Sequence, residues 1–184
     1  MGKRNYSRTF EIALSAISCA VAAGALAMGL ISGWLVGTGY VVAVIALMVP
    51  LSKQFFWGDF IAYLGTVILA VVLGGVVKFW DLVPFAMFFG LHPLVNCLQI
   101  RFKINRWIAF AVKAVWFDCT LIAAYFLIYV LGGITLPEQL QALIDGWRLY
   151  VIIFTVGTAL FLLYDYLIFK LQIGVNRLVY RIKK

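Results

Sequence analysis

Long apolar segments follow one another along almost the whole chain, and they are the strongest constraint on its fold. A helix of about 20 apolar residues crosses the hydrocarbon core of a bilayer. The pattern therefore predicts an all-α, polytopic membrane bundle of about six transmembrane helices. The candidate spans are Phe10 to Ile31, Tyr40 to Leu51, Phe60 to Val77, Leu82 to Ile100, Trp107 to Leu131 and Trp147 to Leu171.

The second segment is the shortest of the six, and the residues before it allow two interpretations. Three glycines, at positions 33, 37 and 39, favour a loop from Ser32 to Tyr40. Alternatively, Trp34 to Val49 forms one irregular helix.

Charged residues make up only 12% of the 184 residues, against about a quarter in soluble domains. Six spans with short connections leave no room for a sizeable extramembrane domain. We therefore expect a single integral membrane domain over residues 1–184, without a fused ATPase, receptor or nucleic-acid-binding domain. The net charge of +8 would suggest nucleic acid as a partner of a soluble protein, but here it indicates topology.

The basic residues are distributed unequally between the two sides of the predicted bundle. One side carries only Lys78 and Arg148. Cytoplasmic loops of membrane proteins are enriched in Lys and Arg. Both termini are therefore expected in the cytoplasm, together with the basic residues of the other side: Lys3, Arg4, Arg8, Lys53, Arg101, Lys103, Arg106, Lys170, Arg177, Arg181, Lys183 and Lys184.

Sequence signatures of catalysis and of metal binding are missing from the chain. It has no HExxH, GxSxG or P-loop motif, and its single histidine cannot form a two-histidine metal site. The three cysteines are far apart and are expected to be buried apolar residues: Cys19, Cys97 and Cys119. We therefore expect neither an enzyme nor a bound metal or cofactor.

Polar residues inside the fourth segment are the first candidate binding groups. His92, Asn96 and Gln99 share one helix face, and Pro93 is expected to kink this span. The face either hydrogen-bonds to neighbouring helices or forms the polar wall of a ligand cavity.

A second candidate face lies on the fifth segment, where Asp118 is about 18 Å beyond Arg106 at the helical rise. Tyr125 and Tyr129 share its face, and Phe154 lies at a similar level on the sixth segment. These groups suit a pocket for a flat ring, with His92 or Asn96 opposite. Alternatively, Asp118 forms a structural pair with His92 or with a hydroxyl group.

Two further intramembrane charges, Lys113 and Asp165, lie at similar predicted depth in the fifth and sixth segments. Buried charges in a membrane need partners, so we expect an interhelical ion pair between them.

Small residues form one face of the first segment, and a surface of this kind allows another helix to approach closely. This face packs either within the chain or against a separate membrane protein, and we expect it largely on the outside of the bundle: Ala13, Ala16, Ala20, Gly24 and Ala27. The connection from Gly132 to Gly146 predicts either a short surface helix or a lid over the binding site.

With these features the chain resembles the S components of energy-coupling-factor (ECF) transporters, small bacterial membrane subunits that bind vitamins. Ala16 and Ala20 match the Ala-xxx-Ala pattern by which that family docks onto a transmembrane T subunit. The stretch from Phe88 to Pro93 is similar to S-component-like proteins of Gram-positive bacteria.

The resemblance implies a multi-pass protein of a bacterial cell membrane that binds a small ring-containing substrate from outside. A T subunit and separate ATPases would then drive its release. Lys78, Asp81 and Arg148 are candidates for the mouth of the site. The alternatives are a proton-coupled carrier that uses His92 and Asp118, and a non-transporting structural or regulatory subunit.

Overall fold

The computed structural model describes residues 6–133 and 146–181, and the regular structure in these ranges is helical. The α-helices are α1 (Arg8–Ser32), α2 (Val36–Ser52), α3 (Phe56–Gly74), α4 (His92–Arg101), α5 (Arg106–Tyr125), α6 (Trp147–Ile152) and α7 (Thr158–Arg181). A 3-10 segment, Val76–Leu82, and three π-helical segments, Phe85–Phe89, Phe126–Leu131 and Ile153–Gly157, extend or join them.

Five helical stretches within the described ranges are long and apolar enough to cross a membrane. They are α1, α3, and three composite spans that we call the fourth (Lys78–Arg101), fifth (Arg106–Tyr129) and sixth (Trp147–Val179). α2, which lies where the second span was predicted, is a shorter apolar helix of 17 residues. The prediction of a multi-pass, all-α helix bundle is therefore confirmed.

The predicted loop from Ser32 to Tyr40 is wrong for most of its length. α1 ends at Ser32 and is followed by Gly33, whose φ of 68° suits glycine, and α2 begins at Val36. The alternative of an irregular helix from Trp34 is closer to the structure. The predicted surface helix or lid between Gly132 and Gly146 lies almost wholly outside the described residues.

Glycine allows α1 to approach its neighbours closely. A Cβ added at Gly39 in α2 would lie 2.7 Å from the backbone oxygen of Ala25, and one at Gly65 in α3 would lie 2.9 Å from Cys19 Sγ. These contacts explain why Gly39 belongs to a helix rather than to a loop: the missing side chain leaves room for the α1 backbone.

The small-residue face predicted on α1 is divided by the fold. Ala13, Ala16 and Ala20 are exposed, and Gly24 is half-buried with open space where its Cβ would be. Ala27 is buried at 6% exposure, so the expectation of an outward position is wrong for this last member. It belongs to the end of α1 that packs inside the bundle.

The two ends of the bundle differ in their number of basic residues. One end, which we call the basic end, contains the connections that carry Lys53, Arg101, Lys103 and Arg106. There the Arg101 guanidinium lies 4.8 Å from the centroid of the Phe56 ring. At the opposite end, the far end, Lys78 Nζ donates to the backbone oxygens of Leu30 at 2.6 Å and Ile31 at 3.0 Å. A cation there stabilises the carboxyl end of α1. Lys78, a candidate for the mouth of a binding site, thus has a structural role.

We expect Gly39→Ala to destabilise the protein, because the new methyl group would overlap the Ala25 backbone. Overpacking of this kind costs about 1–3 kcal/mol. The measurement is the unfolding midpoint of purified protein in detergent.

Gly37→Ala is the matched control, because the same change on the same helix meets nothing within 4 Å. If both variants unfold like the wild type, α1 and α2 do not rely on this close approach.

Candidate functional site

A buried ion pair lies at the centre of the last three spans. Lys113 Nζ of α5 is 2.6 Å from Asp165 Oδ1 of α7, as the sequence predicted, and 2.7 Å from Asn96 Oδ1 of α4. Lys113 is 3% exposed. Three helices are therefore joined through one ammonium group, which donates to a carboxylate and to an amide.

His92 completes this set of four residues, which we call the polar cluster. Its Nδ1 is 3.4 Å from Asn96 Nδ2, and its Nε2 approaches Asp165 Oδ1 to 3.1 Å, although this approach is not aligned as a hydrogen bond. Because the Asn96 amide can only donate to Nδ1, the proton of a neutral imidazole belongs on Nε2, facing the carboxylate. The cluster then holds one positive and one negative charge.

The position of His92 follows from a break in the fourth span. The π segment Phe85–Phe89 ends just before α4 begins at His92, and Pro93 occupies the first turn of α4. A proline there loses no helical hydrogen bond. At the position of the predicted kink, one helical segment ends and α4 begins. The face that His92, Asn96 and Gln99 were predicted to share is buried.

An aromatic layer lies beside the polar cluster. The Phe88 ring is fully buried, and its centroid is 4.9 Å from those of both His92 and Phe117 and 6.1 Å from that of Phe161. Phe161 lies between Thr158 and Asp165 on one face of α7. The layer thus separates the polar cluster from the polar groups nearer the far end.

Asp118 lies beyond this layer, and its observed partner is Thr158. Thr158 Oγ1 donates to Asp118 Oδ2 at 3.1 Å, which matches the predicted alternative of a pair with a hydroxyl group. The predicted alternative of a pair with His92 is not observed, because His92 Nε2 approaches Asp165 and Asn96 Oδ1 accepts from Lys113. Packing of the phenylalanine rings keeps the two groups apart.

Asp118 keeps one buried oxygen, Oδ1, without a hydrogen-bond partner among the described residues. This atom lies against the π segment Ile153–Gly157, since a Cβ added at Gly157 would be 3.2 Å from it. An unsatisfied buried acceptor costs about 1–3 kcal/mol. The arrangement leaves a hydrogen-bond acceptor available to a donor that is not part of the described chain.

The other predicted site residues lie in different surroundings. Tyr125 and Tyr129 are half-buried and their ring centroids are 5.4 Å apart, so they form an aromatic pair on the Asp118 helix. Phe154 is 54% exposed, and its predicted contact with a substrate stays a prediction. The π segment that contains Phe154 breaks the α-helical period on which that prediction depended.

The sequence analysis missed two residues whose side-chain oxygens are buried. The Tyr164 hydroxyl has no partner among the described residues, and its ring centroid is 5.0 Å from that of His92. Asp59, one turn into α3, is 1% exposed, and its Oδ1 also lacks a described partner. An acidic residue so near the start of an apolar segment was the available signal for Asp59.

No group of three or more His, Cys, Asp and Glu residues that could hold a metal ion occurs within residues 6–133 and 146–181. Comparisons with protein-family models, curated proteins and solved structures found no match to this chain.

We expect Lys113→Met to destabilise the bundle strongly, because it leaves Asp165 buried without its cationic partner. Removal of one member of a buried pair typically costs about 3–5 kcal/mol. The double variant Lys113→Met, Asp165→Leu removes both charges and should recover much of this loss. The measurement is the unfolding midpoint in detergent.

Lys170→Met is the control, since this lysine is exposed on the same helix as Asp165. A double variant no more stable than Lys113→Met would mean that the two charges do not stabilise each other in the folded protein.

Proposed function

We propose that the chain is the substrate-binding subunit of an ECF-type micronutrient transporter in a bacterial cell membrane. It captures a small, ring-containing molecule at the far end, which is the external side in this proposal because it carries few basic residues. Partner ATPases supply the energy, so this chain has no catalytic role and needs no cofactor. The observation that carries the proposal is the unpartnered buried oxygen of Asp118.

The surroundings of Asp118 support a site for a hydrogen-bond donor. Asp118 Oδ1 accepts no bond from the described residues, while Thr158 holds the other oxygen in place. The fifth and sixth spans both contain π segments on the far-end side of this residue, Phe126–Leu131 and Ile153–Gly157. Such segments occur frequently at functional sites. A ligand N–H or O–H group would satisfy the free oxygen.

Aromatic side chains near Asp118 favour a flat ring as the rest of the ligand. Tyr125 and Tyr129 lie two and three turns further toward the far end on the same helix. Their half-buried rings offer a surface against which a ring can stack. Asp118, Thr158, Tyr125 and Tyr129 are thus the proposed substrate contacts, and His92 and Asn96 support the bundle beneath them.

The exposed part of the α1 face supports docking onto a T subunit. Ala13, Ala16 and Ala20 leave a flat strip between the larger exposed side chains Ile12 and Ile17. Small residues at a membrane helix surface allow a second backbone to approach closely. This strip is available for a partner because α2 and α3 pack against the other side of α1, around Ala22 and Leu26.

Native mass spectrometry of protein purified gently from its own host should detect a bound small molecule. We expect Asp118→Asn and Thr158→Val each to reduce its retention about tenfold or more, since a hydrogen bond to a charged group contributes about 1.5–3 kcal/mol.

Thr155→Val is the matched control, because the Thr155 hydroxyl is exposed and bonds to the backbone of Val151. Equal loss in all three variants, or wild-type protein without a ligand, would contradict the proposed site. Uptake by the isolated protein driven by a pH gradient would instead indicate a proton-coupled carrier.

Ala20→Leu should reduce transport in cells while the solitary protein binds its substrate normally. The added bulk would block a partner helix but meets no helix of this chain on the exposed side. Transport and substrate retention are measured on the same variant. A parallel loss of folding and binding would count against docking, and Met28→Leu on another exposed part of α1 is the control.

A further inference from the structure

A cavity of about 630 Å³ opens at the basic end, away from the proposed substrate site. It lies among the first turns of α1, the connection between α2 and α3, and the end of α4. Its volume falls in the range of about 300–1,000 Å³ that is typical of ligand pockets. The lining residues are Glu11, Gln54, Phe55, Phe56, Trp57, Phe60, Leu94, Leu98, Arg101 and Phe102.

The cavity has an apolar interior and an aromatic rim. Phe55 and Leu94 are buried in its walls, whereas Trp57 and Phe102 are 77% and 66% exposed at its edge. Tryptophan and other amphipathic rings prefer the membrane–water boundary. The apolar part is therefore placed where it can take a hydrocarbon chain, with the rim at the level of lipid head groups.

Two opposite charges line this one cavity from different helices. Arg101 at the end of α4 lies over the Phe56 ring, and Glu11 belongs to the first turn of α1. Within the described residues neither forms an ion pair with the other or with a third residue. The cavity thus offers an unpaired cation and an unpaired anion to one occupant.

We propose that this cavity binds one phosphatidylethanolamine molecule of the adjacent leaflet. The lipid phosphate contacts the Arg101 guanidinium, and the primary ammonium group donates to the Glu11 carboxylate. An acyl chain lies against Phe55, Phe60 and Leu94. A head group that carries both charges matches the two side chains. A purely anionic head group has no ammonium group to pair with the Glu11 carboxylate.

Two other basic residues lie near the cavity, but neither contacts its interior. Lys53 lies 5.7 Å from the Tyr6 ring centroid, and Lys103 follows Arg101 in an exposed turn. Neither lines the cavity. They attract anionic lipids to this end in general, while selection for the ammonium group depends on Glu11.

The test is native mass spectrometry of the full chain, purified in detergent and incubated with equal amounts of three phospholipids. These have identical acyl chains and differ only in an ethanolamine, a choline or a glycerol head group. We expect the wild type to retain the ethanolamine lipid at least about fivefold more than either other lipid.

Two charge variants separate the contacts. Arg101→Gln should lower retention of the ethanolamine lipid about tenfold, whereas Lys103→Gln, the control outside the cavity, should leave it unchanged. Glu11→Gln should abolish the preference for ethanolamine over glycerol while retention of the glycerol lipid rises. Leu98→Trp, which fills the cavity without changing charge, should reduce retention of all three lipids.

Equal retention of the three lipids by the wild type would overturn the proposal. So would a preference for the glycerol lipid, which would indicate general attraction of anions, or equal effects of Arg101→Gln and Lys103→Gln. Each variant is compared only after its unfolding midpoint is shown to match the wild type. If Arg101→Gln fails to fold, Glu11→Gln and Leu98→Trp decide the outcome.

Discussion

The buried pair of Lys113 and Asp165 is the interaction on which the arrangement of the last three spans depends. A charge inside a bilayer is costly unless it finds a partner. These two residues are 52 positions apart, so their contact fixes how α5 and α7 are rotated about their own axes. Asn96 extends the same constraint to α4 through the ammonium group. Once these rotations are set, Phe88, Phe117 and Phe161 are brought together, and the aromatic layer follows.

The first three helices are held by a different kind of contact. α1, α2 and α3 approach through glycine and other small residues, such as Gly39 against Ala25 and Gly65 against Cys19. One part of the bundle is therefore specified by close backbone approach and the other by polar and aromatic side chains. The ion pair of Lys113 and Asp165 therefore lies away from the exposed side of α1.

Helical periodicity and the need to pair buried charges were enough to predict the spans, the shared face of His92, Asn96 and Gln99, and the Lys113–Asp165 contact. Other features depend on tertiary packing that one sequence does not encode locally. The stripe that placed Phe154 beside Asp118 assumed a regular α-helical period, which a π segment interrupts. Asp118 is separated from His92 by phenylalanine rings. Gly37 and Gly39 resemble loop residues in sequence, yet both lie within α2.

The three π segments have a consequence for variation in chain length. A π turn contains one residue more than an α-helical turn, because its hydrogen bonds join residues i and i+5. All three lie on the far-end side of the polar cluster: Phe85–Phe89, Phe126–Leu131 and Ile153–Gly157. We expect single-residue deletions there to be absorbed by conversion of a π turn into an α turn. Under this expectation, the far-end half can lose single residues during evolution while the helical register of the basic-end half stays intact.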